Sequence, residues 1–153
     1  MSLEKMFLHE KVVDILLKIL EVEKSGKVPY PLKISKEVGS PYSYISKVLS
    51  EFEKHALIES EMKGRKRTVK LTEDGRRVAE LLQKLKEELK KDFVARRKLA
   101  ILNSFVQNLN GSNAKEETVL PLLAEVRNLK NTDDVEVREK AESLEKSLME
   151  MLE

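Results

Sequence analysis

The sequence of 153 residues contains no cysteine and no tryptophan, and it has only five glycines and four prolines. Without cysteine the chain can form neither disulfides nor thiolate metal sites. No apolar run approaches the length of about 18 residues that spans a membrane, and the N-terminus lacks the pattern of a signal peptide. We therefore expect a cytoplasmic protein with no membrane segment.

Signals of catalysis are equally scarce. The two histidines, His9 and His55, do not stand at the spacing of metal ligands. Neither a glycine-rich phosphate loop nor a nucleophile elbow occurs. The carboxylates alternate with Lys and Arg along predicted helix faces, as they do on a solvated surface. The sequence thus predicts a protein that is not an enzyme and that has neither a cofactor nor a metal site.

Charge is abundant, and it is unevenly distributed. Charged residues make up 37% of the chain and aromatic residues 5%, a balance that favours a helical protein with charged faces. Residues 1–92 carry 20 Lys or Arg and 16 Asp or Glu, whereas residues 93–153 carry 9 and 11. Between Lys63 and Lys70 there are five cations and no acid. Such a concentration of positive charge in one short segment is typical of a phosphate-binding surface.

The first half of the chain predicts three helices. Apolar spacing indicates a helix over 4–23, ended by Gly26 in a left-handed cap. Residues 28–32 should be a loop or a short edge strand, because each of their prolines pushes the preceding residue toward extended geometry. A short helix over 34–38 then ends at Gly39. A third helix over 41–55 follows, with Ser40 as its N-cap and Pro41 at its first position.

A β-hairpin is predicted next. Alternation of apolar and polar residues indicates strands over 58–62 and 68–72, joined by a five-residue tip, 63–67, in which Gly64 permits the turn. The run Thr72-Glu73-Asp74 should cap a long helix. No Gly or Pro stands between 75 and 111, so the helical pattern extends unusually far, with a bend or break expected near 92–97.

The remainder predicts a helical module that begins near residue 93. Residues 110–113 read as a loop, Pro121 as the start or kink of a helix, and 131–134 as the turn before a final amphipathic helix. The sequence therefore predicts two domains, 1–92 and 93–153, in a mainly α fold with one small β-hairpin.

Several of these segments together resemble winged helix-turn-helix transcriptional regulators of the MarR and PadR type. The resemblance covers about residues 10–90 and rests on Ile34–Pro41, Ile45–Leu49, Leu57-Ile58, the basic hairpin tip and Leu71–Arg77. It implies a winged helix-turn-helix followed by a C-terminal α-helical module. Ser35 stands where the family usually has Ala, and Ala56 where it usually has Gly. MarR proteins have an extra helix before the first one, and this pattern lacks it. The resemblance does not extend to residues 93–153, so it implies no role for them.

The outward face of helix 41–55 is expected to enter the major groove of DNA, with the basic wing on the backbone or in the minor groove. The predicted DNA-binding residues are Ser40, Tyr42, Ser43, Tyr44, Ser46, Lys47, Lys63, Arg65, Lys66 and Arg67. The alternatives are that the two tyrosines pack against the domain and that the wing cations are a solvated loop. This face has no Arg, Asn or Gln for bidentate base contacts, which predicts modest sequence specificity. A second basic run, 96–98, is typical of a solvated helix face or of a contact to flanking DNA.

The favoured interpretation is a transcriptional regulator that binds double-stranded DNA as a homodimer, with the apolar stripes at 78–89 and 99–109 as the interface. The alternative for those stripes is burial against the chain's own C-terminal helices, which gives a monomer. Two other functions stay open: an architectural chromatin protein of low specificity, and a protein-interaction module that docks through 93–153. A small-molecule effector between the helix after the wing and the C-terminal helices is compatible with the sequence, which identifies no ligand.

Overall fold

The computed structural model describes residues 8–109 and 114–153. These residues form seven helices and one antiparallel hairpin, which confirms the predicted mainly α class with a winged helix-turn-helix. The order is α1 Glu10–Lys24, α2 Pro31–Val38, α3 Tyr42–Lys54, β1 Ile58–Lys63, β2 Lys66–Leu71, α4 Glu73–Leu89, α5 Phe93–Gln107, α6 Glu116–Leu129 and α7 Val135–Leu152. The chain divides into two compact units, 1–90 and 91–153. In the described part of the chain, no helix is both long and apolar enough to cross a bilayer.

The core of the first unit is built from α1, the helix-turn-helix pair and the inner side of the wing. Apolar side chains of α3 and of each neighbouring element are buried there: Ile15, Ile19, Leu20, Ile34, Ile45, Val48, Leu49, Phe52, Ile58, Val69 and Leu71. The carboxylate of Glu23, in the last turn of α1, accepts hydrogen bonds from the backbone N–H of Leu71 at 2.8 Å and from Arg76 at 2.9 Å. One side chain thus joins α1 to both β2 and α4.

The first two helices begin at different residues from those predicted. Helix α1 starts at Glu10 rather than at residue 4, with His9 as its N-cap; positions 4–7 lie outside the described residues. Helix α2 starts at Pro31, so the prediction that Pro31 and Leu32 are non-helical is wrong. Proline suits the first position of a helix because the N–H it lacks would have no partner there. Tyr30 keeps the extended conformation expected before a proline, with φ −117° and ψ 131°.

The turn between α2 and α3 also differs in its cap. Helix α3 begins at Tyr42 and Pro41 is its N-cap, with no side-chain hydrogen bond, so the prediction of Ser40 as N-cap is wrong. Ser40 is instead drawn into the turn: its N–H donates to the carbonyl of Ser35, and its own carbonyl accepts from the Ser35 hydroxyl at 2.6 Å. Gly39 takes the left-handed φ of 73° that ends α2 as predicted.

The wing is tighter than predicted. Pairing continues to Lys63 opposite Lys66, so the turn comprises Gly64 and Arg65 alone, and the prediction of a five-residue tip is wrong. Gly64 has φ +65°, a value that glycine adopts without steric cost and that a type II′ turn requires at this position. The polar residue Thr68 is buried, and its hydroxyl donates to the carbonyl of Glu61.

The segment between α3 and the wing makes a close contact with the start of α4. Ala56 has φ +57°, and the N–H groups of Ala56 and Leu57 donate back to Glu53 and Phe52, which is the pattern of a Schellman cap. Thr72 caps α4 as predicted, accepting from the N–H of Gly75 at 3.0 Å. A Cβ on Gly75 would stand 1.8 Å from the carbonyl oxygen of Leu57, so only glycine fits there.

The second unit is a bundle of α5, α6 and α7. The predicted helix break falls at residues 90–92, because Asp92 caps a new helix by accepting from the N–H of Ala95 at 3.0 Å. The core contains Leu99, Val106, Val119, Leu123, Val126, Leu129, Val137, Ala141 and Leu148. Pro121 lies inside α6 rather than at its start. The loop predicted at 110–113 lies outside the described residues.

Candidate nucleic-acid interface

Helix α3 presents its predicted contact residues unevenly. Tyr42, at the first helical position, is 47% exposed, and Ser43 and Lys47 are also exposed. Ser46 is half-buried. Tyr44 is half-buried too and packs against the core of the first unit. The alternative that a tyrosine packs against the domain therefore describes Tyr44 and not Tyr42.

Ser40 does not lie on this exposed face. The residue is only 6% exposed, and its hydroxyl has no hydrogen-bond partner among the residues that the structure describes. Its contribution to the site is the shape of the turn that aims the first residues of α3.

The wing cations fall into two groups. Lys63, Arg65 and Lys66 are exposed around the turn. Arg67 is half-buried: its guanidinium donates to the hydroxyl of Ser60 at 3.0 and 3.2 Å and lies 3.5 Å from the carboxylate of Glu53. Arg67 is thus paired with a carboxylate of α3, whereas no carboxylate among the described residues forms an ion pair with Lys63, Arg65 or Lys66.

A concave surface brings α2, α3 and the wing together, and we call it the α2–wing cleft. It has a volume of about 460 Å³ and is lined by Tyr30, Pro31, Leu32, Lys33, Lys36, Tyr42, Arg65, Lys66 and Arg67. Five of these residues are cations and none is an acid. Positive charge is therefore concentrated in a concavity, where low-dielectric walls strengthen its field.

Sequence reasoning missed Tyr30, Lys33 and Lys36. The signal was present, because Lys33 and Lys36 are three residues apart and must share a helix face, opposite the buried Ile34. What the sequence did not reveal is that this face meets the wing. Two contacts join the wing to the residues just before α2. The Nζ of Lys66 lies 5.8 Å from the ring centroid of Tyr30, and the N–H of Val69 donates to the carbonyl of Pro29 at 3.1 Å.

The second basic run, residues 96–98, also contains one cation paired with carboxylates and two exposed ones. Arg96 donates to Asp134 through Nε at 2.7 Å and to Glu136 at 2.9 Å. These hydrogen bonds raise the pKa of the Arg96 guanidinium above its ordinary value, and those with Asp134 contribute most. Arg97 and Lys98 are exposed. Across residues 8–109 and 114–153 no three His, Asp or Glu side chains are grouped as metal ligands.

Comparisons with known proteins give similarity over part of the chain. No family model matches it. An uncharacterized protein of Archaeoglobus fulgidus is 28% identical over 88 residues, which are 58% of this chain and 93% of that protein. The crystal structure of AF1382 from Archaeoglobus fulgidus is similar with a TM-score of 0.57 at 28% identity, covering 58% of this chain and 98% of that one. MepR, a transcription regulator of the Staphylococcus aureus multidrug efflux pump MepA, is similar with a TM-score of 0.49 at 16% identity, covering 83% of this chain and 84% of MepR.

Proposed function

We propose that the protein is a non-catalytic transcriptional regulator that binds duplex DNA through α3 and the wing. One observation carries the proposal: Tyr42, at the start of α3, lines the same cleft as Arg65 and Lys66 of the wing. A single ligand can therefore touch the N-terminal end of α3 and the wing together. Helix-turn-helix proteins read base edges with the N-terminal residues of their second helix.

The chemistry of the two elements assigns them different roles. Ser43 and Lys47 are exposed on α3 and can donate to phosphates or base edges, and Tyr42 can contact sugars or thymine methyl groups. Lys63, Arg65 and Lys66 are suited to phosphates. Because bidentate base readers are absent from this face, most of the affinity is electrostatic.

The dependence of affinity on salt tests the proposal. If three to five cations neutralise phosphates, the logarithm of affinity falls with the logarithm of salt concentration at a slope of about −3 to −5 per protomer. Replacing Arg65 and Lys66 by Glu should flatten that slope. The matched control replaces Lys11 and Lys24, exposed on α1, by Glu, with the same change in net charge. A flat salt response of the unmodified protein would exclude DNA binding of this kind.

Helix α4 supports the proposal that the regulator is a homodimer. Its Val78, Leu81 and Leu85 form an exposed apolar ridge, with Leu81 65% exposed, whereas Ala79 and Leu82 pack into the core of the first unit. In the stripe at 99–109, Leu99 and Val106 are already buried against α6 and α7. We therefore assign the dimer contact to the α4 ridge, which can face a second copy of itself.

Light scattering of the full chain, unmodified and with Leu81→Asp, tests this assignment. We expect the unmodified mass to be that of two chains and the variant to be monomeric. A dimer should also protect two half-sites about one helical turn apart. If the unmodified protein is a monomer, both the α4 dimer contact and the protection of paired half-sites are excluded.

The absence of Arg, Asn and Gln from the exposed face of α3 favours an architectural DNA-binding protein as a second candidate function. Competition between a fragment of the protein's own genome and bulk DNA separates the two. A regulator retains its fragment at an excess of bulk DNA that displaces an architectural protein.

Helix α5 favours a third candidate, a protein-interaction module. Its inner face carries Ala95 and Leu99 in the core, yet Val94, Ile101 and Phe105 are exposed on another face, with Val94 68% exposed. Function in cells that survives charge reversal at Arg65, Lys66 and Arg67 but is lost with Ile101→Asp would favour this candidate over DNA binding.

A further inference from the structure

We propose that Lys33 and Lys36 of α2 form a second phosphate-binding wall, so that the α2–wing cleft holds the sugar–phosphate backbone of one strand of the duplex. The inference rests on the proposed DNA binding and adds a third contact element to it. Under this proposal α3 lies in the groove, while the strand beside it passes between α2 and the wing turn.

The charge of α2 is the first argument. Lys33 and Lys36 are exposed, and within the described residues neither makes an ion pair with a carboxylate. Glu37, the single acid of this helix, is directed elsewhere, since it lies 3.2 Å from the Nζ of Lys18 on α1. Both lysines therefore line the cleft without a carboxylate partner among the described residues.

The grouping of cations in the cleft argues against an ordinary solvated surface. On a solvated helix, lysines usually stand beside acids, as Lys18 does with Glu21 at 3.3 Å and Lys86 with Asp14 at 2.8 Å. In the cleft five cations from two elements face one another without a single acid. Like charges at this density repel one another, and a polyanion removes the repulsion by replacing the counterions around them.

The shape and the remaining lining residues select the ligand. A concavity of about 460 Å³ is large enough for a phosphodiester with its sugars. Tyr30 and Tyr42 provide flat apolar surface with a hydroxyl at the tip, which suits a sugar beside a phosphate. The five cations of the lining suit phosphate oxygens, and the lining contains no Asn, Gln, Asp or Glu, so the cleft is better suited to the DNA backbone than to recognition of adenine or cytosine edges.

The experiment compares three double variants of the full chain on one duplex fragment. Lys33→Gln with Lys36→Gln should reduce the steepness of the salt dependence by about 2, because each phosphate contact contributes about 0.9 to the slope. At low salt the affinity should fall about tenfold or more, and by a similar factor on unrelated duplexes, as backbone contacts require. Arg65→Gln with Lys66→Gln should have a comparable effect. Lys11→Gln with Lys24→Gln is the control and should leave the slope unchanged.

The outcomes separate the two proposals. If the wing variant flattens the slope while the α2 variant behaves as the control, the α2 wall is excluded and DNA binding by α3 and the wing stands. If neither variant differs from the control, both the α2 wall and DNA binding by α3 and the wing are excluded. If the α2 variant loses affinity for a single strand of the same sequence but not for the duplex, the duplex backbone is the wrong ligand. Because both lysines are exposed, unchanged thermal melting should show that the variant remains folded.

Discussion

The backbone N–H of Asp92 donates to the Oδ2 atom of Asp134 at 3.1 Å, so the residue that caps α5 is bonded directly to the residue that caps α7. Asp92 also accepts from the hydroxyl of Thr132 at 2.7 Å. Asp134 accepts two hydrogen bonds from Arg96, at 2.7 and 3.0 Å, and its side chain is only 5% exposed. The N-terminal ends of two helices of the second unit are thus closed by one polar network.

Replacing Asp134 by Ala should lower the free energy of unfolding of the second unit by about 2–4 kcal/mol, because a helix cap and a two-fold charge-assisted contact are lost together. Denaturant titration of the full chain measures the change. The control is Asp133→Ala, an exposed neighbour, which should change the free energy by less than about 0.5 kcal/mol. Equal effects of the two substitutions would contradict the assigned role of the network.

Acid should destabilise the same unit. The pKa of Asp134 is lowered, first by the hydrogen bonds from Arg96, and the pKa of Asp92 is lowered, first by the N–H of Ala95 and then by Thr132. A carboxyl whose folded pKa lies below its unfolded value contributes stability above the unfolded value, and that contribution is lost as the pH falls. The melting temperature should therefore decline below about pH 4, near the ordinary pKa of Asp. Circular dichroism against pH measures this decline, and Asp134→Asn should reduce its slope.

Gly75→Ala should lower the stability of the first unit by about 2–4 kcal/mol, because the new Cβ would collide with the backbone of Leu57 and force α4 away from it. The matched control is Arg77→Ala, at an exposed position one helical turn into α4. Denaturant midpoints of both variants give the comparison. If the Gly75→Ala protein is as stable as the control, the backbone of Leu57 can move away from the new Cβ without loss of stability.

Ala56→Gly should act in the opposite direction. Ala56 has φ +57°, where a side chain costs about 1–2 kcal/mol, and glycine removes that cost while losing up to about 1 kcal/mol through the greater freedom of its unfolded chain. We expect a net gain of about 0.5 kcal/mol in the same titration. Ala124→Gly, at an exposed position inside α6, should instead lower stability by about 1 kcal/mol.

Glu53→Gln should strengthen the proposed DNA binding several-fold. The Glu53 carboxylate lies 3.5 Å from the guanidinium of Arg67, so its removal frees a cation that lines the α2–wing cleft. The salt slope should become steeper by up to about 0.9, the contribution of one phosphate contact. Glu51→Gln, which breaks the exposed pair with Lys54 on the same helix, is the control. If the Glu53→Gln variant binds DNA with unchanged affinity, Arg67 does not contact the DNA.

Local features of the fold could be predicted from the sequence because their causes are local. The burial of Ile45, Val48 and Leu49 follows from the helical period, and the Thr72 cap follows from the residues beside it. The start of α2 was missed because Pro31 is compatible both with an extended segment and with the first position of a helix. Local sequence does not distinguish these two conformations.

The candidate site was predicted less completely because its parts are distant along the chain. Lys33 and Arg65 lie about thirty residues apart, and only packing of the wing beside α2 brings them into one cleft. Arg67 lies 3.5 Å from Glu53 of α3, whereas Arg65 remains exposed. A run of five cations does not reveal which of them the fold will neutralise.

The hydrogen bond from Val69 to Pro29 fixes the spacing between the wing and the first turn of α2. A ligand that enters the cleft therefore meets walls that are already ordered, and it loses little entropy in arranging them. The same bond makes the two walls move together. A substitution that displaces the Pro29 carbonyl would break this bond and let the wing separate from α2, so the width of the cleft can be altered from the loop that precedes α2 without changing a single cation.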